Sequence, residues 1–471
     1  MKKHLWAVLA MMLALVMCMP AAMGEEEYLR IYNVEDLNNE VGSYISESGT
    51  YVAEGKSESG IVVDGNADVT LILNGVDIGS PYEPALNCSN AGSLKIILAD
   101  NTKNRLASVG NGTEAAQGYA GIWNAGVPLT ICCQSVSNEE DGHICDDSCG
   151  VLDAVGGSYY DSYNDIGYAG AGIGGCLEWS APCSTQANEE ASSVDGRRIT
   201  ILGGNIYAQG GTGAAGIGGG VKLGESYWGQ VNGDWMWQYS YYAGSGMDIT
   251  IAGGNVQALG GTGAAGIGGA MNTKLLQSGL FVENLGEYLG GSGKRISITG
   301  GSVYAEGGEL APGIGGGYLG KGEDILITGG EVYAQAGVWD MPEPASEDDE
   351  YNGNGMPEYM PVGSGAKLPG DDVTPDSSNI RIAPKSGMRI RAGAGANFGR
   401  AAEDNELKGS PFTSGKDITD QLKGKTWFAT MTEDAPNTVQ PSTGDGMGVG
   451  FWAALLALSA AAFAVMKRRT A

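Results

Sequence analysis

The sequence predicts an all-β chain wound as a right-handed, three-sided parallel β-helix, with a leader before it and an apolar helix after it. Three observations predict this. A glycine-rich string is written almost twice over, GGTGAAGIGGG at Gly210–Gly220 and GGTGAAGIGGA at Gly260–Ala270. Strand-like runs recur at spacings of 50, 47 and 29 residues: ITILGGNIYAQGG from Ile199, ITIAGGNVQALGG from Ile249, ISITGGSVYAEGG from Ile296 and ILITGGEVYAQAG from Ile325. Within these runs residues alternate in character, so the two Ile of Ile-Thr-Ile share one face and Thr takes the other.

Self-similarity at such a period marks a stack of supersecondary units. Glycine accounts for 80 of 471 residues, but not at every third position, which excludes collagen. Glycine and β-branched residues together argue against a helical solenoid. The 29-residue unit holds three short strands and their turns, and the longer units add loops after the glycine cluster. Each strand is expected to pair with its equivalent in the next turn, Ile on Ile, with rungs about 4.7–4.9 Å apart. The clusters at Gly170, Gly213, Gly263 and Ala311, with a decayed copy at Met360, close the third strand. Glycine reaches backbone angles that cost other residues, and it leaves no side chain to crowd the next rung. Ile217, Ile267 and Ile314 then fill the interior. A phosphate-cradling loop would need Gly-Lys-Ser/Thr and a following helix, and neither is present. The same register is legible in Ala67–Gly75, Gly92–Asp100 and Val127–Gln134, and again in NIRIAP from Asn379 and GMRIRAG from Gly387. The count is eight or nine turns over residues 50–395.

The two ends carry addresses. Residues 1–24 have Lys2 and Lys3, an apolar stretch from Leu5 to Met19 and a small-residue site at Ala22-Met23-Gly24, the pattern of a secretory leader. Residues 25–49 and 396–430 are expected to cap the stack, because its ends expose strand edges. Residues 431–439 read as a linker. Residues 440–471 contain Gln440-Pro-Ser-Thr-Gly-Asp445, a 20-residue apolar span over 447–466 long enough to cross a bilayer, and Lys467-Arg-Arg469. This arrangement resembles the LPXTG-like sorting signal of Gram-positive surface proteins. The resemblance implies that a sortase cuts after Thr443, before Gly444, and joins the chain to peptidoglycan. Pro441 is in its usual place, whereas Gln440 stands where the common form has Leu, which leaves the class of sortase open. A plain membrane anchor is the alternative; either way the body of the protein is expected at the cell surface.

Setting aside Lys2, Lys3, Asp445 and Lys467–Arg469 leaves 54 acidic against 22 basic residues. Such a body repels phosphates, so nucleic acid is not an expected partner. Seven cysteines follow the leader: Cys88, Cys132, Cys133, Cys145, Cys149, Cys176 and Cys183. Outside the cell they suit disulfides of unreadable pairing, with one left over. His143-Ile-Cys-Asp-Asp-Ser-Cys149 also has zinc-ligand residue types, but lacks a second close Cys-x-x-Cys.

GTYVAEG, VTLILNGVDIGS, LKIILADNTKNRLAS and the recurring GIGG strings together resemble the glycine-rich, β-helical carbohydrate-binding domains of Gram-positive surface proteins, over most of residues 45–395. The resemblance implies a non-catalytic domain that binds polysaccharide, a plant or host glycan, in some members an acidic plant polysaccharide with calcium. Two surfaces offer contacts. One is the outward row of the second strand, Tyr207, Gln257, Tyr304 and Tyr333, where rings can stack on sugar C–H faces and amides can take hydroxyls. The other is the stretch Ser226–Tyr242, read as a loop, with Trp228, Trp235 and Trp237. Packing of the same residues on the protein is the bland alternative for both. Calcium would draw on Asp146, Asp147, Asp161 and Asp165, or on Ser346–Glu350. No Asp-x-Asp-x-Asp-Gly loop supports it, and solvated loops account for these acids without a metal. A polysaccharide lyase or hydrolase is the rival class, but no paired carboxylate row or catalytic histidine is legible. A structural stalk or an adhesin for host protein is the third.

Overall fold

The alternation of Ile-Thr-Ile fixes which side chains point inward, and stacking of identical rungs turns that choice into columns. The computed structural model describes residues 28–34, 36–108, 118–136, 142–161, 166–176, 194–231, 234–271, 289–338, 358–367, 374–382, 388–393 and 417–432. Three parallel ladders run through them. The first pairs Asp68–Gly79, Ser93–Leu98, Leu129–Cys133, Gly196–Ile201, Gly246–Ile251, Gly293–Ile298 and Gly322–Ile327, in that order. The second pairs Lys103–Ala107, Val151–Val155, Asn205–Gln209, Asn255–Leu259, Ser302–Glu309 and Glu331–Gly337. The third is a nine-stranded sheet of very short strands, from Tyr44–Ile45 through Ile217–Gly218 and Ile267–Gly268 to Val362–Gly363. Nine rungs span roughly 38 Å at the usual strand spacing. The architecture is an all-β solenoid of parallel sheets.

The interior is three sets of columns. On the first ladder, Leu94, Leu129, Ile199, Ile249, Ile296 and Ile325 stack in register. On the third, Leu86, Ile122, Ile173, Ile217, Ile267, Ile314 and Val362 do so, and all seven are fully buried. The second ladder alternates a Leu152–Ile206–Val256–Val303–Val332 column with an alanine column, Ala154 to Ala334. Each buried Ile, Leu or Val contributes about 1.5–3 kcal/mol. One column is polar at its head: Asn104 is buried above Leu152, accepts from the N–H groups of Gly75 and Val76, and donates to Thr102 and to the Val151 carbonyl.

Before each first-ladder Ile the pairing steps over one residue in the left-handed region, Arg198, Asp248, Arg295, Asp324 and Asn379, all with φ of 54–57°. These positions form an outward polar column, charged at the first four and closed by the amide of Asn379. Arg295 grips Asp248 with Nε–Oδ1 at 2.6 Å and Nη2–Oδ2 at 3.0 Å, and Asn379 donates to Asp324. The Arg295 hydrogen bonds hold the Asp248 carboxyl below its ordinary 3.8. A depressed carboxylate stabilises the fold above its unfolded pKa, and that contribution is lost as pH falls through the lower, folded value. Because both partners are about a third exposed or more, Arg295→Gln should cost under about 1 kcal/mol at pH 7. The difference between variant and parent should vanish in acid melts well below pH 3.8.

Both ends of the stack are covered by antiparallel strands. Arg30–Asn33 pairs with Gly49–Ser57 and buries Ile31. At the other end the parallel register reaches Arg381–Ile382. Met388–Gly393, expected to continue it, pairs antiparallel with Trp427–Thr432, which itself pairs antiparallel with Glu331–Gly337. The chain turns back because the last coil needs its edge covered. Among the described residues the one helix is the single turn Thr419–Leu422, and none is long and apolar enough to cross a membrane. The leader, the span 447–466 and the motif residues Pro441, Thr443 and Gly444 lie outside the described residues.

Candidate functional site

The second ladder carries one continuous outward row. Its register runs Lys56, Asp77, Arg105, Asp153, Tyr207, Gln257, Tyr304, Tyr333. The sequence reading contained the last four. The first four belong to the same row without sharing its residue types, because charge replaces aromatic character halfway along. Aligning Arg105 of KNRLA and Asp153 of VLDAV with Tyr207 of NIYAQ is the signal that finds them.

The two halves differ in chemistry. In the charged half Arg105 Nη1 lies 3.4 Å from Asp77 Oδ1, and Lys56 Nζ lies 3.8 Å from Asp77 Oδ2. Asp153 is half-buried between Arg105 and Tyr207, and its Oδ1 has no hydrogen-bond partner among the described residues. Burial raises its pKa, with Asp77 adding to the shift and Arg105 opposing it. In the aromatic half Tyr207 and Tyr304 are half-buried, with Gln257 between them. The two tyrosines are two rungs apart, roughly 9.5 Å. Each hydroxyl is tied to the residue two places on: Tyr207 to Gln209 Oε1 at 3.1 Å, and Tyr304 to Glu306 Oε2 at 2.6 Å. Burial first, then the bond to Glu306, pushes the Tyr304 phenol well above its ordinary value. The bond to Glu306 commits the hydroxyl as its donor and holds the ring in one orientation. Tyr333 is only 7% exposed, packed against Trp427 and Ala429 with Tyr304 at its edge. The open part of the aromatic row therefore ends at Tyr304.

Ser226–Tyr242, read as a loop, is a β-hairpin. Val221–Val231 pairs antiparallel with Asp234–Ala243, with Trp228 opposite Trp237 and Gln230 opposite Trp235. By register, positions 228, 235 and 237 fall on one side of the ribbon. Asn232-Gly233 between alternating residues was the hairpin signal in the sequence. Val221 also pairs with Ala169, joining this ribbon to the hairpin Ser158–Asp161/Ile166–Ala169 in a four-stranded sheet.

The acids considered for calcium divide. Asp146 accepts from the N–H and the hydroxyl of Ser148, closing its own turn, and those bonds lower its pKa. Asp147 is exposed, and Asp161 ends the strand Ser158–Asp161. Asp165 and Ser346–Glu350 lie outside the described residues. Among the described residues the one cluster of metal-ligating groups is Cys133, His143, Cys145 and Cys149, whose ligand atoms lie within 4.8 Å of one another. Cys133 and Cys145 share a thiol contact at 3.7 Å, which holds Cys133 down to about 6 and pushes Cys145 up.

Two family models match the chain. One, described as a carbohydrate-binding domain-containing protein, covers residues 40–129; the other, a β-helix repeat, covers residues 199–221 and 296–318. No curated relative and no solved structure matches significantly. The matches support a carbohydrate-binding β-helix protein. β-Helix repeats of this kind also occur in polysaccharide lyases and hydrolases.

Proposed function

We propose that this chain is a cell-surface protein that binds an extended polysaccharide without cleaving it, along the outward row of the second ladder. One observation carries the reading: a single column passes from Asp77 and Arg105, inside the segment matched as carbohydrate-binding, to Tyr207, Gln257 and Tyr304 in the repeats. A linear glycan needs contacts repeated at regular spacing on a rigid strip, and a stack of rungs supplies them. Tyr207 and Tyr304 offer ring faces and Gln257 an amide, on positions that are half-buried and not closed off. The appended hairpin with Trp228, Trp235 and Trp237 is a second contact surface in this proposal. Secretion, and attachment to the wall through Thr443, would place the row outside the cell.

Glycan-array binding of the mature chain tests this, with and without a calcium chelator. Tyr207→Ala with Tyr304→Ala is expected to weaken binding about 5-fold or more, taking each lost ring face at about 0.5–1.5 kcal/mol, the scale of an aromatic–aromatic contact. Trp235→Ala with Trp237→Ala should weaken it too, with thermal stability nearly unchanged. Loss of binding in chelator that added calcium, and not zinc, restores would assign calcium a part. Release of free sugar from a bound glycan would make the protein an enzyme. Absence of any glycan ligand would leave the stalk or protein-adhesin reading.

A further inference from the structure

The loop 142–149 lies across the corners of neighbouring coils rather than projecting from them. His143 N–H donates to the Leu202 carbonyl at 2.7 Å, and the His143 carbonyl accepts from Gly254 N–H at 2.8 Å. Asn205 Nδ2 donates to the carbonyls of Asp146 and Cys149, both at 3.0 Å, and Asn255 Nδ2 donates to the Cys145 carbonyl at 3.3 Å. This pinning brings Cys145 and Cys149, together with His143, over Cys133 at the end of the first-ladder strand Leu129–Cys133. Gly203 makes the room: a Cβ there would stand 2.9 Å from Cys133 Sγ and 3.3 Å from His143 Cβ.

We propose that Cys133, His143, Cys145 and Cys149 form a structural zinc site that clips the loop to three successive coils. Three thiols and one imidazole converge, and the spacing Cys145-x3-Cys149 is within the range used by structural zinc sites. Thiolates at about 2.3 Å from a tetrahedral zinc lie roughly 3.8 Å apart; Cys133 and Cys145 Sγ are 3.7 Å apart. The outer shell is present as well. Gly204 N–H donates to Cys145 Sγ at 2.9 Å, the type of bond that supports a metal-bound thiolate. Cys133, Cys145 and Cys149 are buried, as a closed structural site requires. A disulfide would use two of the three thiols and leave the third cysteine and the histidine beside it without a role; one metal uses all four. Tetrahedral sulfur-rich ligation selects zinc over calcium or magnesium.

The intact mature chain, purified without reductant or chelator, is expected to carry one zinc atom by mass spectrometry of metals. Replacement by Co(II) should give the intense visible bands and thiolate charge-transfer absorption of four-coordinate cobalt, a reading that needs no variant. Cys149→Ser should lower cobalt affinity by more than the 10–100-fold typical of losing an outer-shell partner. Extracting the zinc should lower the melting temperature of the parent. Peptide mapping that finds Cys133 joined by a disulfide to Cys145 or Cys149, with no zinc in the chain, would overturn the proposal. So would a chain that takes up no stoichiometric cobalt, or one that keeps its metal in the Cys133→Ser/Cys149→Ser double variant. None of these readings depends on a glycan.

Discussion

Gly268→Ala is expected to destabilise the protein by about 3–5 kcal/mol, combining strain at a glycine-only backbone conformation with overpacking. Gly174, Gly218, Gly268, Gly315 and Gly363 occupy one position in successive coils, with φ of 138–142°. That region lies beyond the left-handed well that Asn or Asp can tolerate. Space is as restrictive as angle. A Cβ on Gly268 would stand 1.8 Å from the carbonyl oxygen of Gly315. That oxygen already accepts from Gly269 N–H at 2.8 Å, and Gly268 O accepts from Gly219 N–H at 2.9 Å. A methyl group would therefore have to push two rungs apart and break the third ladder in mid-stack. Gly42 is the comparison: it is exposed, with nothing within 4 Å of a Cβ, and Gly42→Ala should stay within about 0.5 kcal/mol of the parent. Thermal melts of the two variants check this. Equal melting temperatures would mean that the glycine repeat has no steric role.

This is why so much of the fold is legible in the sequence. The Ile columns and the glycine corners repeat because every rung meets the same steric problem, so each unit restates the answer. Legibility fails where a residue answers to something that happens once. Tyr333 has the register of Tyr304 but is buried, because Trp427 docks on it from 94 positions further along the chain. Met388–Gly393 has the alternation of a coil strand yet runs antiparallel, since alternation fixes faces and not direction. Asp77, Arg105 and Asp153 are not legible as part of the row, because they share it with tyrosines without sharing their chemistry. The Cys133–His143 pairing depends on how a loop lies across three coils, which no local spacing encodes.

Trp427→Ala should be nearly as damaging, at about 3–5 kcal/mol, but the failure should have a different shape. Trp427 is 1% exposed and packs on Tyr333 and Ala429. Its strand is held to the last coil by Ala336 N–H to the Thr426 carbonyl at 2.8 Å, and by Thr430, whose hydroxyl accepts from Val332 N–H and donates to the Gly330 carbonyl. Removing the indole leaves a cavity between cap and coil, and loosening the cap bares the edge of Glu331–Gly337 to solvent. In a stack where each coil contacts only its neighbours, loss at one end propagates inward coil by coil instead of melting the whole at once. Hydrogen exchange should therefore lose protection first in Glu331–Gly337 and Gly322–Ile327, while Ile173–Gly174 and Gly196–Ile201 keep theirs. Gly268→Ala, by contrast, should weaken the rungs on both sides of the middle together. Uniform loss of protection in Trp427→Ala would mean that the solenoid melts as one cooperative unit, and that the terminal strand is a part of its core and not a cap.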